Sequence, residues 1–306
     1  MKIQILMSTY NGEAYLRTQL DSIVNQTIKH KYLLIRDDGS VDGTLDIIKE
    51  YAKKFEWISY YQGHNIGVRK SFMELIANAD QTMDYIAFAD QDDYWLPEKL
   101  NRAVEQMQKH GIKTDMPQLY CSDKMIVGRA LEDLNVTVSR RVKKPSFGNS
   151  LVQNICTGCT AVINNSMLLL LQHHMPVDPD KLIMHDWWLY LAASCFGNVY
   201  YDEKAFIRYR QHGNNTAGAM INRKKLLKYR VGQLFKPRGE IYQQIEMFNS
   251  TFFEMLDSES NKMIHKVLNS KQGFRSRISL IADRRFFRQK TIDDLVYRGS
   301  VLIGKL

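Results

Sequence analysis

Cysteine is scarce in this sequence, and long apolar runs are missing. Four cysteines among 306 residues give no disulfide framework and suit a reducing compartment. Cys156 and Cys159 form a C-x-x-C. No second pair lies nearby to complete a zinc site, and two thiols beside a tight turn is the simpler reading. The longest compact apolar stretch, "MLLLLQ" at 167–172, is far short of the about 18 residues a membrane-spanning helix needs. The opening "MKIQILMSTYNG" has neither the extended apolar core nor the small-residue cleavage site of a signal peptide. The expectation is therefore a cytosolic protein. There is no G-x-x-x-x-G-K-[ST] and no G-x-G-x-x-G, so a P-loop and a dinucleotide fingerprint are both excluded. No internal repeat or low-complexity tract is present.

What is present can build a large core. The chain is 44% hydrophobic and 25% charged, the balance of a folded globular protein. Its net charge of +9 is unevenly placed. Residues 1–219 hold 24 Lys+Arg against 25 Asp+Glu, and residues 220–306 hold 18 against 8. Such asymmetry suggests one part that does chemistry and another that meets an anionic surface.

The first 125 residues alternate apolar runs with helical patterns. Strands are read at "IQILMS" (3–8), "YLLIRD" (32–37), "WISYYQ" (57–62), "YIAFA" (85–89) and "LYCSD" (119–123). Between them "AYLRTQLDSIV", "TLDIIKEYAKKF", "SFMELIANA" and "PEKLNRAVEQMQKH" repeat apolar residues at helical spacing. Unbroken apolar strands in β-α units predict an α/β fold with a mostly parallel sheet covered on both faces. Residues 124–150 read as a mobile connection. Strand and helix patterns resume from 151, through "AVIN" and "NVYYDEKAFIRYRQH". After about 219 the chain reads as helical. Ile241, Ile245, Phe248, Phe252 and Met255 form a short apolar seam that suits packing on the chain's own domain better than a coiled coil.

Polar clusters close the successive strands: "STYNG", "DDGS", "HNIG" and "DQDD". Loops at one end of a parallel sheet converge, and ligands bind there. In "DQD", Asp90 and Asp92 are two apart, so both can turn to one hard cation. Mg²⁺ or Mn²⁺ held by carboxylates, with diphosphate oxygens completing its shell, is the usual arrangement in nucleotide chemistry. The acids of "DDGS" can accept from a nucleobase or ribose, although such clusters also make ordinary turns. "HDWW" at 185–188 offers Asp186 either as a helix cap or as a carboxylate base beside aromatic walls. His212 lies in the Gly/Asn loop "YRQHGNN".

In this order "STYNG", "LLIRDDGSVDGT", "N-x-G", "FADQDDYW", a Gly-Cys-Thr turn, "HDWW" and "RQHGNN" resemble the family 2 glycosyltransferases. These are inverting enzymes of the GT-A fold, Rossmann-like with helices on both sheet faces. The resemblance covers roughly residues 1–217 and is strongest to bacterial rhamnosyltransferases of cell-surface polysaccharide. It implies a catalytic domain at 1–219, with a nucleotide-sugar half at about 1–123 and an acceptor half at 151–219. It implies an NDP-sugar donor, dTDP-L-rhamnose first, with galactose, glucose or N-acetylhexosamine donors as alternatives.

By motif, the resemblance assigns Thr9, Asp37 and Asp38 to the nucleoside, with Tyr10, Asn11, Asn65 and Gln91 in the same donor loops. Arg69 or Lys70 would meet the diphosphate, although "VRKSF" departs from the family's commoner run there. Asp92 would ligate Mn²⁺ or Mg²⁺ directly, with Asp90 and His212 beside it. Asp186 would be the base. Asp93, Trp95, Thr157, Gly158 and Trp187 would line the acceptor side.

The tail, 220–306, carries no family motif. Its charge suggests an anionic membrane surface at the inner face of the plasma membrane, where a lipid-linked acceptor would sit. The contributors named here are "NRKK" at 222–225, Arg284, Arg285 and Arg288, with Phe286 and Phe287 entering the headgroups. A homodimer through 241–255 is the other use of this region. Two remaining readings fit poorly. A sugar-1-phosphate nucleotidyltransferase needs a cationic Gly-rich first loop, and "MSTYNGEAYL" lacks one. A polyanion-binding protein, or a nucleic-acid partner, would need the charge on the main domain.

Overall fold

The run Ile3–Thr9 forms strand β1, and its side chains divide between two cores. Ile3, Ile5 and Met7 enter one apolar cluster, while Leu6 enters another on the opposite face. The two-residue period of a strand imposes this division, and it makes β1 the centre of a sheet covered on both sides. The computed structural model describes residues 1–110, 115–134, 143–212 and 239–305.

Strands β2 (Lys31–Asp37) and β4 (Tyr85–Ala89) pair with β1 in parallel, and β3 (Ile58–Gln62) pairs in parallel with β2. Helices α1 (Glu13–Val24), α2 (Thr44–Lys54) and α3 (Gly67–Ala77) make the connections. This half follows the sequence reading closely. The second half is built differently. After β5 (Tyr94–Trp95) and α4 (Lys99–His110) come β6 (Gln118–Val127), α5 (Phe147–Ser150), β7 (Val162–Asn164), α6 (Asn165–His173), α7 (His185–Phe196) and β8 (Asn198–Arg210). The sheet order is β3-β2-β1-β4-β7-β6-β8-β5. Strand β7 is antiparallel to both β4 and β6, β8 is parallel to β6, and β5 is antiparallel to β8.

Two antiparallel steps restore direction, so β4, β6 and β8 all point the same way as β1. The start of β7 and the ends of β1, β2, β4, β6 and β8 therefore meet at one edge of the sheet.

The expected mobile connection at 124–150 is partly ordered structure. Strand β6 continues to Val127, because Met125, Ile126 and Val127 pair with Arg208, Tyr209 and Arg210 of β8. The whole of α5 is buried. A partner strand some eighty residues away leaves no local signal.

Among the described residues four α-helices follow: α8 (Gly239–Thr251), α9 (Ser258–Leu268), α10 (Phe274–Ala282) and α11 (Thr291–Leu302). The seam on α8 faces the chain itself. Ile241, Ile245, Phe248 and Phe252 are buried in the same cluster as Trp188 and Leu189 of α7. The rings of Phe248 and Trp188 lie 5.3 Å apart, edge to face. These four are enclosed and cannot receive a second subunit, while Met255, the fifth seam residue, is exposed. Phe286 is likewise fully buried, so it cannot enter a headgroup layer. "NRKK" at 222–225 and the boundary at 219 lie outside the described residues. Among the described residues no helix is long and apolar enough to cross a membrane.

Candidate active site

The loops after β1, β2 and β4 are tied to one another by side chains the motifs supply. The Gln91 amide accepts from Tyr10 N at 2.8 Å and donates to Tyr10 O at 3.0 Å. It lies over Gly12, where a Cβ would meet Gln91 Oε1 at 2.2 Å. Asn11 adopts φ 48°, a left-handed conformation that Asn tolerates. It receives Val41 N on its side-chain oxygen, and its own N–H donates to Ser40.

Thr9 Oγ1 donates to Asp37, which also receives the backbone N–H and hydroxyl of Ser40. Asp38 accepts from Arg36 and from the N–H groups of Ile66 and Gly67. Thr9, Asp37 and Asp38 are all buried. Their visible task is to shape these loops, while Tyr10, Asn11 and Asn65 form the exposed surface there.

The acids after β4 divide in two. Asp92 stays partly exposed, and its Oδ2 lies 2.7 Å from His212 Nε2. The His212 ring stacks on Tyr15 at 4.8 Å. Arg210 anchors this corner by donating to Asp92 O at 2.6 Å and by lying over the Tyr15 ring. Asp90, Asp93 and Cys159 converge below, each offering a ligand atom within 4.8 Å of the others. Burial pushes Asp90 up to about 7, and the neighbouring Asp92 and Asp186 carboxylates add to that. Asp93 is also raised, by burial first and then by Asp90 and Asp92.

Asp93 and Trp95 do not face an acceptor. Both are fully buried, because the short β5 pairs with β8 and turns Trp95 into the core. Asp93 Oδ1 instead receives Arg210 N at 3.1 Å. Beneath it Lys99 is enclosed, its ammonium 3.6 Å from the centre of the Trp95 ring. Burial pushes Lys99 down to about 8.

Asp186 opens α7 and is held on both oxygens. Asn154 Nδ2 donates to Oδ1 and Gly158 N donates to Oδ2, each at 2.9 Å. Gly158 is required there, since a Cβ would lie 2.6 Å from His185 Nε2. Burial pushes Asp186 up to about 6, against the opposing pull of these hydrogen bonds and of Lys124. His185 is buried and stacks on Phe72 at 3.9 Å, and burial pushes it down to about 3, so it is a neutral wall. The Trp187 indole donates to Ser150 O at 2.7 Å, and Thr157 is partly exposed beside Gly158.

Neither Arg69 nor Lys70 reaches the acids. Arg69 donates to Leu182 O and Asp180 O, and Lys70 pairs with Asp180 at 2.6 Å. Together they hold the segment that leads into α7. Among the described residues the cation beside Asp90 and Asp186 is Lys124, which donates to Thr157 Oγ1 at 3.1 Å and lies 4.0 Å from the Tyr209 ring centre. It stabilises the charged forms of Asp90 and Asp186. The sequence reading missed Lys124, Asn154, Tyr15 and Arg210. Only continuation of the "YCSD" strand pattern into "KMIV" could have pointed to Lys124.

The Asp92 carboxylate and the His212 imidazole, 2.7 Å apart, offer ligands that suit a divalent cation, while Asp90 groups with Asp93 and Cys159. Asp90, Asp92 and His212 are all partly exposed, and a cation would offset the Asp92 and Asp186 charge that adds to the effect of burial on Asp90.

The model of the family described as "Glycosyl transferase family 2" matches residues 4–168. The dTDP-rhamnosyl transferase RfbG of Shigella flexneri is 30% identical over 235 residues, covering 72% of this chain and 77% of that one. Among solved structures, S. aureus TarS 1-349 in complex with UDP-GlcNAc superposes with a TM-score of 0.60 at 17% identity, over 97% of this chain and 90% of that one. The mannosyltransferase PcManGT of Pyrobaculum calidifontis, in complex with GDP-Man and Mn2+, gives 0.52 at 13% identity, over 99% and 85%. At these identities the two structures speak to the fold.

Proposed function

The chain belongs to glycosyltransferase family 2 and has the GT-A fold, and from that premise we propose that it transfers L-rhamnose from dTDP-β-L-rhamnose to a hydroxyl of a lipid-linked saccharide. The glycosyltransferase class follows from the family. The choice of rhamnose is supported by the likeness to the Shigella flexneri rhamnosyl transferase. The observation that carries the chemistry is the convergence, at one sheet edge, of a buried carboxylate held by Asn154 and Gly158 with the Asp92–His212 pair.

In this reading Asp186 is the base. Its carboxyl, raised to about 6, is ionised at neutral pH yet more basic than a solvated Asp, which suits general-base work. It takes the proton of the acceptor hydroxyl while that oxygen bonds to the anomeric carbon. The bond from that carbon to the diphosphate oxygen breaks, and the nucleoside diphosphate departs. One displacement inverts the β-donor to an α-L-rhamnoside.

Asn154 and the Gly158 N–H fix the carboxylate's orientation, and neutral His185 backs the Gly158 loop. Asp92, with Asp90 and His212, would hold Mn²⁺ or Mg²⁺. The ion, when bound, supplies positive charge to the leaving diphosphate. Tyr10, Asn11 and Asn65 take the nucleotide side, on loops shaped by Thr9, Asp37, Asp38 and Gln91. Thr157 and Trp187 border the acceptor side.

The test is a panel of NDP-sugars with Mn²⁺ or Mg²⁺, read by slow donor hydrolysis and by the rise in Tm. Rhamnose should lead the panel. A galactose, glucose or N-acetylhexosamine donor in first place would keep the mechanism and replace the sugar.

A further inference from the structure

Helix α11 buries Tyr297, Ser300 and Val301 and exposes Ile292, Leu295 and Leu302, with exposed Ile303 following. At about 100° per residue the four exposed residues share an arc of roughly 100°, opposite the buried set. The neighbouring α10 exposes Phe274 and Ile278, one turn apart. Scattered exposed apolar residues are ordinary; five on two adjacent helices, with Ile303 just beyond, form a face.

Charge tells what covers it. Residues 239–261 contain five acids and no Lys or Arg, whereas 262–305 contain eleven Lys+Arg and three acids. The apolar face lies wholly in the cationic part.

Beside this face is a cavity of about 540 Å³ lined by Lys143, Lys144, Ser146, Arg284, Phe287 and Arg298. Arg298, on the flank of the α11 stripe, is fixed by Asp294 and by the carbonyls of Ile281 and Phe286. Lys143 is fixed by Arg288 O and lies over the Phe287 ring. Arg284 and Lys144 are exposed and make no ion pair among the described residues. Two anchored cations thus form the wall and two free ones the mouth. A symmetric dimer through this face would set like charges against each other, while an anionic bilayer attracts each nearby Lys or Arg.

We propose that Phe274, Ile278, Ile292, Leu295, Leu302 and Ile303 seat shallowly in an anionic phospholipid bilayer, with a lipid phosphate received by the Lys144–Arg284 cavity. The inference deepens the lipid-linked acceptor reading and rests on it for its purpose. Lipid binding itself is measured without sugar transfer.

The test is co-sedimentation of the full chain with phosphatidylcholine vesicles, with or without phosphatidylglycerol. Binding should require phosphatidylglycerol and weaken with salt. It should fall at least about tenfold, one 1.4 kcal/mol step, in Ile292→Ser/Leu295→Ser and in Lys144→Glu/Arg284→Glu. All four positions are solvent-facing, so wild-type Tm and wild-type donor hydrolysis confirm that fold and active site survive. That control separates failure of the surface from failure of the glycosyltransferase reading. Equal sedimentation with both vesicle types, none with either, or variants that bind like wild type would overturn the proposal. So would a dimer that dissociates in Leu295→Ser.

Discussion

His212 Nε2 meets Asp92 Oδ2 at 2.7 Å, joining two residues 120 positions apart in the chain. The contact places an imidazole from the end of β8 on the acid that follows β4. Asp92→Asn keeps the size of the side chain and removes its charge. Turnover should fall about 100-fold or more, in the range seen when a charge-stabilising group is removed, while Tm stays near wild type. EDTA should abolish activity and Mn²⁺ should restore it. Near wild-type turnover in Asp92→Asn, or indifference to EDTA, would refute the metal assignment.

The base gives a signature in pH. Asp186 is raised to about 6 by burial, and only its ionised form accepts a proton. The rate should therefore be full above that value and be lost as pH falls through it. Lys124 favours the charged carboxylate, so Lys124→Met should move this acidic limb to higher pH. Asp186→Asn should remove transfer by about 100-fold to 10,000-fold and leave the donor Kd unchanged by calorimetry. Loss of donor binding in that variant would make Asp186 a donor-side or structural residue.

Arg69 and Lys70 test a different distinction. Both grip the 180–182 segment, so Arg69→Ala with Lys70→Ala should lower Tm and kcat through misplacement of α7. The donor Kd should hold. A large rise in donor Kd at unchanged Tm would return these cations to the diphosphate.

The β1–β4 half was legible because its strands are buried on both faces and so read as unbroken apolar runs. The motif residues at their ends were legible for the same reason: a parallel sheet gathers them. The second half was obscure. "AVIN" marked strand β7, but three residues carry no sign of its antiparallel direction, which reverses the sheet twice. Trp95 looked like an acceptor wall because its partner Ile207 lies 112 residues on, and that pairing alone decides which way the ring points. Arg69 and Lys70 looked available for phosphate because their partners are more than a hundred residues away. Cationic character was visible in the sequence; where each cation is used depended on those distant contacts.

The sheet order also sets a timetable for the growing chain. Strands β3, β2, β1 and β4 are complete once Ala89 has been made, and they need no later strand to pair with one another. After the two-residue β5 comes strand β6, but its pairing partners are β7 and β8. Its hydrogen-bonding edges therefore wait, unpaired, until synthesis has passed Asn164 on one side and Arg210 on the other. An apolar strand left open for that long is the point at which a nascent chain is most exposed to aggregation. Residues 1–89 can assemble as they leave the ribosome; the part that carries Lys124, Asp186 and His212 closes later, first as β7 and then as β8 is made.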